Sequence, residues 1–287
     1  MTSRIDYNNP HGEGQLGLPY HYEMLSDAVR VGPFKQAIQR ISNDKVVLES
    51  GTGSGVLSIL AARAGASQVF SIELDENIAQ FTQKNIANSG KDNIKLINKS
   101  TLDVNSDDIN NQKADVVIAE NLSTWLVTEP QILVMNHMTQ NLANNDAICL
   151  PQKVFNYLEL VNSKFVFEET IHLRTQFFEF TGIISPKAHS KPYLVDTFDM
   201  SKVNPESFSY TINVPVTEDG TINSIRLTSP LQVYDDITFD SSDSLMPPVV
   251  LPLPEDLNVT KGDTIELSIS FTVNSDWDSF ECNAKKL

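Results

Sequence analysis

Residues 46–66 read VVLESGTGSGVLSILAARAGA: an apolar run ending at Glu49 or Ser50, a turn bearing Gly51, Gly53 and Gly55, and an amphipathic stretch that begins at once. Glycines admit positive φ and let a ligand approach the main chain, while the helix start behind them offers unpaired N–H donors. The pattern is strand, glycine turn, helix, with something bound on the turn. Outward from it, short apolar runs KVVLES (45–50), QVFSIEL (68–74), IKLIN (94–98), ADVVIAE (114–120) and AICL (147–150) alternate with helical stretches. One of these, DENIAQFTQKNIANSG (75–90), carries Asp75 and Glu76 in its first turn and Gly90 where a C-terminal cap belongs. Alternation of this kind is the mark of βαβ units on a parallel sheet, so residues 1–150 are expected to form a doubly wound α/β domain preceded by a helical segment.

The texture changes after Pro151. VFNYLELV (154–161), FVFEETIHL (165–173), INSIRLTS (222–229) and DTIELSISFTV (263–273) alternate apolar and polar residues at period two, which predicts an antiparallel β domain over 151–287. SPKAHSKP (185–192) and the proline-rich LMPPVVLPLPEDL (245–257) read as irregular connections.

The chain has 287 residues, 40% of them hydrophobic, enough for a sizeable core. With 21 basic and 37 acidic residues the formal charge is −16, which disfavours nucleic acid and anionic membrane surfaces as partners and favours a cationic one. Cys149 and Cys282 lack CxxC spacing, and His11, His21, His137, His172 and His189 never fall at HxxxH spacing, so no metal site is expected. The first residues, MTSRIDYNNPHGEG, lack an apolar h-region and no run is long enough to span a membrane, which predicts a soluble, cytoplasmic protein.

The wording of the glycine turn narrows its ligand. A dinucleotide fingerprint needs glycine at 56, where Val56 stands, and a P-loop needs GK[ST], which is absent. What remains is GxGxG, typical of S-adenosylmethionine sites. Glu73, 22 residues beyond Gly51 at the end of the next strand, is placed to accept hydrogen bonds from ribose hydroxyls. ADVVIAENLSTWLVTEPQ (114–131) sets Glu120 at a strand end and Glu129 nine residues later, beyond Trp125. Two carboxylates facing one pocket raise each other's pKa unless a cation lies between them, and a guanidinium is the natural one. On the residues alone the pair is equally read as a helix cap and a solvated carboxylate, and Trp125 as a packing residue. Upstream, YHYEMLSDAVRVGPFKQAI (20–38) places His21, Glu23, Met24, Asp27 and Arg30 in one helical stretch, where Arg30 suits a ligand carboxylate and a surface salt-bridge ladder is the ordinary alternative.

Together these residues resemble the protein arginine methyltransferase family, over nearly the whole chain. H-x-x-M-L-x-D-x-x-R at His21 to Arg30 is similar to the family's helix before the core, residues 46–66 to its glycine motif, SIEL (71–74) to its ribose-binding acid, and AE-x8-E at Glu120 and Glu129 to its double-glutamate loop. LPQKVFNYLELV (150–161) and LNVTKGDTIEL (257–267) are similar to its β-barrel segments. The resemblance implies a Rossmann-like methyltransferase domain followed by a β-barrel-like substrate domain, with S-adenosyl-L-methionine as cofactor. Arg30 would hold the cofactor carboxylate, Gly51, Gly53 and Gly55 its amino-acid portion, Glu73 its ribose and Thr101 its adenine, with Glu120 also at the cofactor. Met24, Trp125, Glu120 and Glu129 would line the acceptor pocket, the two glutamates gripping a guanidinium as the catalytic pair.

Departures from the family pattern bear on the acceptor. Asn121-Leu122-Ser123-Thr124-Trp125 replaces a Met-Gly-Tyr run, and Ser244-Leu245-Met246 replaces the late Thr-His-Trp signature. No tyrosine-rich helix is evident in IDYNNPHGEGQLGLP (5–19), Leu102 stands where an adenine-binding acid belongs, leaving Thr101 or Asp103, and the segment between the first barrel strands is short for a dimerisation arm. The expected activity is N-methylation of the guanidino group of arginine, with free arginine or a related small molecule favoured over protein arginine and a homodimer compatible with it. A methyltransferase of a non-guanidino acceptor and a catalytically silent cofactor-binding protein are the alternatives.

Overall fold

The computed structural model describes residues 17–180, 182–240 and 244–287. The readings of MTSRIDYNNPHGEG, and of a missing tyrosine-rich helix over residues 5–16, lie outside the described residues. The first element, α1 (Leu18–Ser26), is followed directly by α2 (Ala28–Ile41). The single helix expected over this stretch is therefore two, because Asp27 leaves helical geometry (φ −77°, ψ 85°) and caps α2 by accepting the Arg30 N–H at Oδ1, 3.1 Å. The break turns Met24 and Arg30 toward one pocket from separate helices.

Then come β1 (Val46–Ser50), α3 (Val56–Arg63), β2 (Gln68–Glu73), α4 (Glu76–Ser89), β3 (Ile94–Asn98), β4 (Ala114–Ala119), α5 (Gln131–Asn141) and β5 (Ala143–Leu150). The five strands form a parallel sheet in the order β3-β2-β1-β4-β5. Val47, Leu48, Val69, Phe70, Val116 and Val117 are completely buried, as strands covered on both faces require. Asp75 caps α4 rather than opening it, accepting the N–H groups of Asn77 and Ile78, and Gly90 ends it in the left-handed conformation. The chain moves outward from β1 through β2 to β3 and then crosses back to β4 on the other side of β1. The carboxyl ends of β1 and β4, paired up to Ser50 opposite Ala119, therefore flank the switch point where open α/β sheets bind ligands.

The rest is antiparallel. Strands β6 (Lys153–Asn162), β7 (Val166–Phe167), β8 (Ile171–His172), β9 (Phe177–Phe178), β10 (Lys187–Ala188), β11 (Tyr193–Asp199), β12 (Ser207–Pro215), β13 (Gly220–Thr228), β14 (Leu231–Tyr234), β15 (Ile237–Phe239), β16 (Val249–Val259), β17 (Thr264–Thr272) and β18 (Glu281–Lys286) follow. A large curled sheet runs β15-β14-β6-β13-β16-β9 with β10 and β11 also on β6, and β12-β17-β18 form a second sheet. FVFEETIHL is not one strand: Glu168 and Glu169 adopt positive φ and fold it into the β7–β8 hairpin.

LMPPVVLPLPEDL is not an irregular connection either. Most of it is β16, a strand inside the large sheet, with Pro247 and Pro248 ahead of it and Pro254 where the ladder is interrupted: Ile222 opposes Leu257 but Ser224 opposes Pro252, leaving residues 253–256 bulged out. Arg174 satisfies the bulge, donating to the carbonyls of Leu253 and Asn223 and pairing with Asp256 at 2.7 Å. On its other edge β16 meets β9 only at Val249 and Val250, so neither Pro252 nor Pro254 is asked for an N–H there.

One contiguous apolar core runs from Phe34 on α2 through the parallel sheet to Val273 beyond β17. Helix α2 packs on α3 and also on β14 and β15, and so ties the two sheet systems together. Among the described residues no helix is long and apolar enough to cross a membrane.

Candidate active site

The glycine turn is built from below. Glu49, on the β1 strand, lies 2% exposed beneath it and accepts hydroxyl hydrogen bonds from Thr52 (2.9 Å) and Ser58, while Ser71 donates to Thr52 at 2.8 Å. Burial pushes the Glu49 carboxyl up to about 7 against the pull of those hydroxyls. From the side, Glu73 Oε2 accepts the Gly53 N–H at 2.9 Å and its Oε1 accepts the Asp75 N–H at 2.9 Å, with burial raising its pKa. A methyl group on Gly51 would come within 2.3 Å of Asn121 Nδ2, and one on Gly53 within 2.8 Å of His21 Cε1; both residues have positive φ, 63° and 53°. A side chain at either position has to displace that neighbour and hold a left-handed backbone that glycine adopts freely.

Above the turn lies a pocket of about 730 Å³, its open mouth included, lined by Tyr20, Met24, Arg30, Glu49, Glu120 and Glu129 together with His21, Asn121 and the turn itself. Arg30 is 3% exposed and donates from Nε (2.6 Å) and Nη2 (2.5 Å) to one oxygen of Glu120, while Nη1 lies 3.4 Å from Met24 Sδ. Burial works against the Arg30 charge, but Glu120, together with Tyr20 and Glu129, more than offsets it and the guanidinium is held above its ordinary pKa. Burial raises Glu120 as well, against the pull of Arg30. Glu129 has no such partner: among the described residues its carboxylate makes no ion pair or hydrogen bond. Burial, with the Glu120 charge beside it and Arg30 opposing, pushes it up to about 8. Tyr20 is raised above its usual value by burial, then by Glu129.

The loop carrying the two glutamates is held at both ends by Gln131, whose Oε1 accepts the Asn121 N–H (2.9 Å) and whose Nε2 donates to the Ala119 carbonyl (2.9 Å). Ser123 Oγ accepts the N–H groups of Thr128 and Glu129. In its middle Trp125 and Leu126 both take left-handed φ, 60° and 61°. That geometry costs non-glycine residues about 1–2 kcal/mol each and is held by the β domain. Trp125 is completely buried against Phe271 and Phe280, donates Nε1–H to the Tyr157 carbonyl (2.9 Å) and gives its backbone N–H to Ser229.

The sequence expectations divide accordingly. Met24, Arg30, Gly51, Gly53, Glu120 and Glu129 line one pocket. Gly55 serves as the N-cap of α3, Glu73 braces the turn from the side, and Thr101 is buried with its hydroxyl 2.7 Å from Ser50 Oγ; none of the three lines that pocket. Trp125, placed with the acceptor pocket on the resemblance, is instead a packing residue that fastens the loop to the β domain. Ser244-Leu245-Met246 lies against the site's edge, where the Leu245 N–H donates to Asp27 Oδ2 at 2.9 Å. Tyr20, Glu49 and Asn121 were missed. An acid in the apolar run before a glycine turn was a signal for Glu49, and adjacency to Glu120 for Asn121; nothing marked Tyr20 among its neighbours.

The site fits the methionine end of an S-adenosyl cofactor on its own geometry. The glycine cradle has no room for side chains, Arg30 offers a guanidinium beside it, and Asn121 Oδ1 is buried next to Gly51 with no hydrogen-bond partner among the described residues.

A family model described as ribosomal protein L11 methyltransferase (PrmA) matches residues 35–146. The chain is 31% identical to the uncharacterized protein MJ1452 of Methanocaldococcus jannaschii over 92% of its own length and 96% of that protein's. It is 30% identical to protein arginine N-methyltransferase 1 of Caenorhabditis elegans, over 64% of this chain but only 54% of that one. Among solved structures, the Trypanosoma brucei PRMT1 enzyme-prozyme heterotetrameric complex with AdoHcy superposes with a TM-score of 0.77 over 95% of this chain and 98% of that chain, at 17% identity. Arabidopsis thaliana protein arginine methyltransferase 10 gives 0.77 over 94% and 97%, at 16% identity. The chain thus belongs to one family with MJ1452 and is an S-adenosylmethionine-dependent methyltransferase, similar to the protein arginine methyltransferases in sequence and fold.

Proposed function

We propose that the methyl acceptor is a guanidino group, that of arginine or a related small molecule. The observation carrying this is Glu129: a carboxylate beside Glu120, without a counter-ion among the described residues, in a pocket whose one cation is already paired. A half-buried carboxylate raised by its surroundings is a place kept for a cation. A planar guanidinium can lie between Glu120 and Glu129, donating to both. The replaced late signature at Ser244-Leu245-Met246 and the two-residue strands between β6 and β11 support a small acceptor over protein arginine.

When bound, the cofactor supplies a methyl group on a sulfonium sulfur. Arg30 would hold its carboxylate, the turn at Gly51 and Gly53 its amino-acid portion, and Glu73 its ribose. In the transfer an N–CH3 bond forms as the S–CH3 bond breaks, and positive charge moves from sulfur to the acceptor. Glu120 and Glu129 therefore bind the transition state more tightly than the ground state. They draw charge toward the nitrogens they hold and leave lone-pair density on the one that attacks. The methylated acceptor carries one proton too many, and the Glu129 carboxylate beside it is placed to take it. Met24 and Tyr20, on α1, close the pocket and limit water.

Mass spectrometry with methyl-labelled S-adenosylmethionine, offering free arginine and an arginine-rich peptide separately, tests the assignment. Label on free arginine that is lost in Glu129→Gln is the expected result. Label on the peptide alone overturns the small-molecule choice. Label on neither, in protein that binds cofactor, overturns the guanidino acceptor.

A further inference from the structure

The pocket contains a hydrogen-bonding group that the reading above does not use. Asn121 follows Glu120 directly, and its side chain folds back over the glycine turn, where Nδ2 occupies the space that a methyl group on Gly51 would need. Its Oδ1 is buried and accepts no hydrogen bond among the described residues. Nothing local requires that arrangement, because the backbone N–H of Asn121 is already given to Gln131, so the loop would keep its course without the carboxamide. An amide oxygen left unpaired in a closed site is destabilising, and an aliphatic side chain of the same size would avoid that cost. Beside it the pocket carries Tyr20, His21 and Glu49 as well as the Arg30–Glu120 pair and Glu129, and no described residue donates to Asn121 Oδ1, so an acceptor on the glycine-turn side serves a donor that arrives with a ligand.

We propose that Asn121 is a cofactor-binding residue, its Oδ1 accepting a hydrogen bond from the α-ammonium of the methionine moiety. The inference rests on the cofactor assignment, not on the identity of the methyl acceptor. Gly51 decides which cation is meant. The carboxamide lies against the start of the turn that would carry the amino-acid portion of the cofactor, whereas Glu129 stands at the far end of the same loop. With Arg30 for the carboxylate, Asn121 for the ammonium and the turn between them, both charged ends of a zwitterion have a partner. Selectivity for a ligand carrying a free amino group follows.

Binding of S-adenosylhomocysteine, and of its deaminated analogue that keeps the carboxylate, can be measured by calorimetry on the wild type, Asn121→Leu and Asn121→Asp. Asn121→Leu should weaken S-adenosylhomocysteine at least about tenfold, as loss of a hydrogen bond to a charged group does, and leave the deaminated analogue unchanged. Asn121→Asp, which retains an acceptor, should stay within about threefold of the wild type or bind more tightly. Asn121→Ser, a truncation that cannot crowd the turn, should repeat the selective loss if the leucine variant melts abnormally. Unchanged affinity in Asn121→Leu and Asn121→Ser, equal losses for both ligands, or a loss in Asn121→Asp as large as in Asn121→Leu would each overturn the proposal. A wild-type chain that binds neither ligand would remove the cofactor assignment with it, a failure distinct from any of these.

Discussion

Arg30 and Glu120, ninety residues apart in the chain, meet through a single carboxylate oxygen to which both Nε and Nη2 of the arginine donate. The remaining nitrogen, Nη1, faces Met24, and the second carboxylate oxygen accepts nothing from Arg30. One buried pair can thus serve two ligands, an anion at the arginine and a cation at the glutamate, while staying neutral between them.

Breaking that pair from the Glu120 side strands a charge at a residue only 3% exposed. Glu120→Gln should destabilise the protein by about 3 kcal/mol, a fall in Tm of about 6–12 °C for a chain of this size. A thermal melt at neutral pH checks it, and methyl transfer should fall with it.

The carboxyls of Glu49 and Glu129 are pushed up to about 7 and about 8 in the folded protein. The unfolded chain releases both protons near the ordinary carboxylate value, so between the two values the folded state binds more protons. The stability these groups contribute is complete below the unfolded pKa and is lost as pH rises through 7 and 8. Ligand-free Glu129→Gln should therefore melt close to the wild type at pH 5 and at least about 4 °C above it at pH 8.5. Curves that stay parallel across that range would contradict the raised Glu129.

A cation entering between the glutamates must displace the proton Glu129 holds at pH 7. Binding of free arginine in the presence of S-adenosylhomocysteine should release up to about one proton, read by calorimetry in buffers of different ionisation heat. Glu129→Gln should release none.

Trp125 separates a packing role from an acceptor-binding one. Trp125→Phe keeps most of the contact with Phe271 and Phe280 but loses the bond to the Tyr157 carbonyl. The cost should be about 1 kcal/mol, a Tm loss of about 2–4 °C. An unchanged Tm with a raised acceptor KM would instead return Trp125 to the pocket.

Gly53→Ala sets a methyl 2.8 Å from His21 at a φ of 53°. The left-handed backbone costs alanine about 1–2 kcal/mol, and His21 must shift, carrying α1 away from the turn. Affinity for S-adenosylhomocysteine should fall about tenfold at a Tm loss of only a few degrees.

Much was legible in the residues themselves, because the information is local. Apolar runs alternating with helical stretches marked the parallel half and period-two alternation the antiparallel one, Gly90 ended its helix as expected, and glycines at 51, 53 and 55 marked a turn that side chains would block. The spacing of Glu120 and Glu129 marked a loop able to present two carboxylates. What sequence could not express was who meets whom. Asp27 divides one apparent helix into two, partly because the Leu245 N–H, far along the chain, lies against its other carboxylate oxygen. The prolines of β16 are tolerated because Arg174 fills the bulge. Trp125 left the acceptor pocket for the same kind of reason: its left-handed backbone is held by partners on β6 and β17 and at Phe280, contacts that exist only once both sheets have formed. Local propensity and pattern determined the elements and the chemical types at the site. Burial, the pairing of Arg30 with Glu120 and the absence of such a partner for Glu129 among the described residues were decided by packing, since charge in a low-dielectric interior depends on neighbours brought together from across the chain.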